Sequence, residues 1–150
     1  MSAAPLIPDS KGMFGDVSET DPVRHLFGTA GGWGGNRTED AIYLNVTPPK
    51  NDGQLPYTIT VQDVPVDAFW SITLHNKGGM FEAPESSVSV NSVTAKKNAD
   101  GSTTVHFGGD PKAANYLRIM PGWNYTVRLY RPRAEILNGS WKFPSPTPAK

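Results

Sequence analysis

The chain of 150 residues has no cysteine, which excludes disulfides, thiolate metal sites and a cysteine nucleophile. That absence leaves the redox compartment open, because extracellular domains of this size fold without bridges as well as with them. An excess of charge of one sign is missing too: 14 Lys and Arg balance 14 Asp and Glu. With no basic stripe along the chain there is no electrostatic footprint for nucleic acid. Apolar runs extend over only a few residues, far short of the ~20 that a membrane-spanning helix needs. The glycine-rich stretch Gly31–Gly35 lacks both the Lys-Ser/Thr of a phosphate loop and the spacing of a dinucleotide fingerprint. A Gly-x-Ser-x-Gly elbow, which would poise a serine nucleophile, is absent. Residues 1–9 (Met-Ser-Ala-Ala-Pro-Leu-Ile-Pro-Asp) show no basic region followed by an apolar one, and do not read as a signal peptide.

What the chain does contain is a period of two. Hydrophobic residues make up 37%, below the usual globular share, yet they fall in short ordered runs. Ile42, Leu44 and Val46 alternate with polar neighbours, as do Tyr57, Ile59 and Val61, and Trp70, Ile72 and Leu74. The stretches 86–96, 102–107 and 125–131 repeat the pattern, and a further short strand is expected over 116–120. Alternation of β-branched and aromatic residues with polar ones marks half-buried antiparallel strands. Turn residues separate them at 50–53, 76–79, 98–101 and 121–122, with Asn98-Ala-Asp-Gly101 reading as a hairpin turn. Asp21 followed by Pro22 signals the start of one short helix, and the glycines from Gly28 onward its end. The sequence thus predicts an all-β, jelly-roll-like antiparallel β-sandwich over residues 21–143 with one short N-terminal helix. Residues 1–20 read as a loop or arm. Residues 144–150, with alternating prolines, read as an extended tail leaving the domain.

Candidate chemistry is sparse. Three histidines, His25, His75 and His106, are far apart in sequence, and a sandwich is able to bring distant strands together around a single metal ion. The paired histidines of a cupin-type strand are missing, however, and His75 and His106 each occupy the polar side of a strand. Glu82, in a glycine-flanked loop after His75, is the acid best placed to join them in catalysis. Glu85, Asp63 and Asp67 are weaker counterparts. The strand faces opposite the core are more informative. They carry Tyr43 and Asn45, Thr73, Asn91, and Arg128 and Tyr130, a set of hydroxyls, amides and rings suited to a small polar or saccharide ligand. The ordinary wet side of an antiparallel sheet has the same composition. Four Asn-x-Ser/Thr matches, at Asn36, Asn45, Asn124 and Asn138, read as coincidence, since two of them fall in or beside strands.

Three segments, residues 21–36, 61–74 and 121–142, together resemble the bacterial family called domain of unknown function 1214, over roughly residues 13–145. The resemblance implies a jelly-roll sandwich. It also implies an exported, periplasmic setting, in which such a domain often follows a domain of unknown function 1254. It brings no reaction, cofactor or catalytic residue. His75 stands where the family more often has Tyr, and the segment 82–89 lacks the family's Asn- and Tyr-rich version.

Three readings follow. The first is a binding or accessory module for a small polar or saccharide ligand at Tyr43, Asn45, Thr73, Asn91, Arg128 and Tyr130. The second is a small metal-assisted enzyme, of hydrolase or oxidase type, using His25, His75 or His106 with Glu82. The third is a structural domain that self-associates or docks against a missing N-terminal domain.

Overall fold

The structure, a computed structural model, describes residues 9–31, 35–82 and 88–149. Eight strands, β1 (Ala41–Val46), β2 (Tyr57–Val61), β3 (Trp70–His75), β4 (Ser89–Asn91), β5 (Thr103–Phe107), β6 (Tyr116–Leu117), β7 (Asn124–Tyr130) and β8 (Thr147–Pro148), form two four-stranded sheets. The first runs β1-β7-β3-β4 and the second β6-β5-β2-β8. The result is a β-sandwich, as the alternation predicts.

The inward-facing residues of the two sheets make one core. Ile42, Ile72, Leu74, Tyr125, Val127 and Leu129 of the first sheet meet Tyr57, Ile59, Val105, Phe107 and Leu117 of the second. Trp123, fully buried just before β7, stacks on Phe107 with ring centroids 5.1 Å apart. Tyr57 meets the indole edge-on at 5.9 Å, and Tyr125 lies 4.9 Å from Phe107. These rings tie the two sheets together, since Tyr57 and Phe107 belong to one and Tyr125 to the other. Burying each of them contributes about 1.5–3 kcal/mol. The Tyr125 hydroxyl is pushed well above the usual tyrosine range by burial.

Helix α1 (Pro22–Gly31) starts as its sequence demands: the Asp21 carboxylate accepts from the Val23 and Arg24 N–H groups at 2.9 Å each. It runs through Gly28, where a glycine break was expected. Gly28 serves packing here, because a Cβ on it would lie 2.9 Å from the Phe14 ring.

Five further expectations need correction. Of the described residues 88–96, only Ser89–Asn91 pairs as a strand, where the sequence predicts one over 86–96. The Asn91 Oδ1 accepts from the Val93 and Thr94 N–H groups, both at 3.0 Å, so a side-chain-stabilised turn ends the strand despite continuing alternation. The turn at 98–101 closes, with Gly101 at φ +83°, but the residues before it do not form a strand. The pairing is not wholly antiparallel: β5 and β6 run parallel. The proline tail does not leave the domain. Thr147 and Pro148 pair with β2, an edge position where a residue without an N–H costs no ladder bond. A second helix, α2 (Ala134–Leu137), also follows β7 and buries Ile136.

Candidate functional site

Strand parity and register decide what each outer surface carries. On the first sheet Tyr43, Arg128, Ser71 and Asn91 stand side by side across β1, β7, β3 and β4. The next row is Asn45, Thr126, Thr73 and Ser89, and beyond it Asn124 faces His75. Tyr130 lies two residues past Arg128 on the same side. The six residues read from sequence as ligand-binding candidates therefore share one face.

That face has two aromatic ends with a cation between them. At one end Phe69 stacks on Tyr130, centroids 4.4 Å apart and planes 23° from parallel, and Tyr43 meets Tyr130 edge-on at 6.5 Å. The Asn36 amide donates to the Tyr43 hydroxyl. In the middle the half-buried Arg128 donates from Nη1 to the Thr73 hydroxyl at 2.6 Å. Beneath it Ser71 and Thr73 are 8% and 7% exposed, so long side chains cover the sheet. Not every polar group is available. Asn45 Oδ1 already accepts from the Thr126 hydroxyl, and Asn91 Oδ1 is committed to its turn.

At the other end His75 stacks against Phe81, centroids 5.3 Å apart. A tight turn presents Phe81: the Asn76 carboxamide accepts from the Gly78 and Met80 N–H groups and donates to Glu82 Oε2 at 2.9 Å. Gly79, at φ +80°, supplies the left-handed residue that the turn requires. Burial, and then the positive charge of Arg128, push the His75 imidazole below the usual histidine range. Both causes favour the neutral ring.

The other histidines are elsewhere. His106 points outward from β5 on the opposite sheet, beside Thr58 and Tyr116. His25 sits in α1, its Nδ1 2.7 Å from the Met13 carbonyl oxygen and its ring edge-on to Phe14. Two outer faces and a separate helix cannot share an ion. Among the described residues no group of three His, Asp or Glu side chains is placed to hold a metal. The three histidines are therefore not gathered at one place, and of His75, Glu82 and His106 the first two lie at the same end of one face, joined through Asn76, while His106 is on the other sheet. Trp33 and Glu85, and the segment 83–87, lie outside the described residues.

Phe69 is not among the residues that the sequence offers as candidates. Its stack with Tyr130 exists only because β3 and β7 are neighbours, which no local pattern announces. Two hollows lie apart from this face. One of about 460 Å³ lies between the β4 edge and the loop at 111–116, and touches the face only through Ser89. A second, of about 280 Å³, is lined mainly by apolar side chains including Ile42, Leu129, Trp141 and Phe143.

Residues 43–134 match the family described as "Protein of unknown function (DUF1214)". The match begins at β1, so the glycine-rich motif at 21–36 falls outside it. No curated protein matches the chain. Among solved structures, the crystal structure of the VPA0106 protein of Vibrio parahaemolyticus is similar, at 22% identity and a TM-score of 0.74. The similarity covers 99% of this chain and 41% of that one, so this chain spans less than half the length of its structural relative. At that identity the likeness speaks for the fold alone.

Proposed function

Since this chain belongs to the DUF1214 family, whose description assigns no activity, we propose a function from geometry alone: a binding module for a small polar or saccharide ligand. The observation that carries this reading is the gathering of Phe69, Tyr130 and Tyr43 beside Arg128 and Thr73 on the outer face of one sheet. Rings offer an apolar platform to the C–H face of a sugar, while guanidinium, hydroxyl and amide groups hydrogen-bond its edge. A glycan array followed by calorimetry tests it. Binding that weakens in Tyr130→Ala supports the reading, and an array without a saccharide ligand overturns it. Export to the periplasm would give such a module access to extracellular saccharides.

A second reading, self-association through α1, is favoured by one observation. Val23, Leu26 and Phe27 form an apolar stripe on that helix and are 63%, 67% and 40% exposed. Sedimentation velocity at rising concentration tests it, and a strict monomer throughout overturns it.

A further inference from the structure

Arg128 occupies the second of the four strands in its sheet, with Tyr43 directly opposite on one side and Ser71 on the other. A guanidinium carries five N–H donors, and this one spends a single donor on the neutral Thr73 hydroxyl. Among the described residues no carboxylate lies within ion-pair distance of it, whereas Arg24, Arg37, Lys50 and Arg133 all have acidic partners. Buried side-chain nitrogens and oxygens without partners are confined, among the described residues, to Arg37 Nε and Trp123 Nε1. The unspent donors of Arg128 are thus open to a ligand. A half-buried cation is costly to cover with a neutral group, because the ligand removes water without supplying countercharge. A carboxylate matches the planar fork in two parallel hydrogen bonds. On the side toward His75 the turn brings in Glu82, whose Oε2 accepts from the Asn76 amide.

We propose that this face selects a ring ligand bearing a carboxylate, of the sugar-acid (uronate) class, with Arg128 holding the carboxylate and the Tyr43–Tyr130–Phe69 cluster the ring. The inference rests on the saccharide-binding reading and adds the charge. A water bridge or a neutral sugar hydroxyl would satisfy one donor of the fork; only an anion satisfies the pair and the charge together.

Calorimetry with oligogalacturonate, its methyl ester and a neutral cello-oligosaccharide tests the charge directly. The acid is expected to bind at least about tenfold more tightly than its ester, as the loss of a charged hydrogen-bond partner implies. Arg128→Gln should abolish that preference, while Tyr130→Ala should weaken acid and ester alike. Should Arg128→Gln fail to fold, the unaltered protein still decides the question. Binding of the acid should fall with added salt and binding of the ester should not. Equal affinity for acid and ester, or salt-independent binding of the acid, overturns the inference and leaves the saccharide reading intact. No binding of acid, ester or neutral oligosaccharide overturns both.

Discussion

The outer faces of the two sheets come from the same alternation and end in different chemistry. On the β6-β5-β2-β8 sheet the outward positions are Thr58, Thr60, Thr104 and His106. The Thr60 and Thr104 hydroxyls bond each other at 2.9 Å, and the Asn98 amide donates to Thr104. These central hydroxyls satisfy one another. On the β1-β7-β3-β4 sheet, stacked rings flank a cation whose donors are mostly unspent. Polar patterning therefore identifies a surface, whereas unspent hydrogen-bonding capacity identifies a site.

Phe107→Ala should erase the distinction by unfolding both faces together. Truncating this buried ring, which touches Trp123 and Tyr125, is expected to cost about 3–5 kcal/mol in urea denaturation. Next in size, Tyr130→Ala removes the stack with Phe69 and the edge contact with Tyr43. A loss of about 0.5–1.5 kcal/mol is expected, together with loss of saccharide binding. A variant that kept full affinity would deny the first sheet its special status. Thr60→Val, on the β6-β5-β2-β8 sheet, should cost roughly 0.2–1 kcal/mol in thermal or urea unfolding and leave binding untouched. If it weakened binding, the contrast between the faces would collapse.

The smallest effect is one of pH. The His75 imidazole titrates below the usual histidine range when folded, so the unfolded chain binds more protons as pH falls through about 6.5. Stability from this residue is fully present above that value and declines as pH drops toward the depressed one. Urea midpoints measured at mildly acidic and mildly alkaline pH should differ more in the unaltered protein than in His75→Gln. Equal differences in the two proteins would remove burial and the Arg128 charge as causes acting on His75.

Much of the fold was legible residue by residue. Strands β1, β2, β3, β5 and β7 follow from alternation, and the start of α1 from Asp21 and Pro22, because each signal acts within a few residues. The failures have equally local causes that compete with the pattern. Asn91 ends β4 through its own carboxamide, and Gly28 continues a helix because Phe14 needs the space a side chain would fill. The tail pairing depends on β2, about ninety positions earlier and out of reach of any window. Of the candidate site, parity put Tyr43, Asn45, Thr73, Asn91, Arg128 and Tyr130 on outward faces. It could not say that their strands share a sheet, nor that His106 belongs to the other.

By itself the sequence determined which side of each strand is apolar, where the chain turns, and that thiol chemistry is closed to it. Side-chain period and turn chemistry are properties of neighbouring residues, so they need no fold to be read. Tertiary structure alone decided which polar sides lie next to one another. The order β1-β7-β3-β4 brings residues from four distant segments into the same two rows, and separates the three histidines. It leaves Arg128 between Tyr43 and Ser71 with most of its donors free. Strand order is set by how the whole core packs, and no local pattern encodes it.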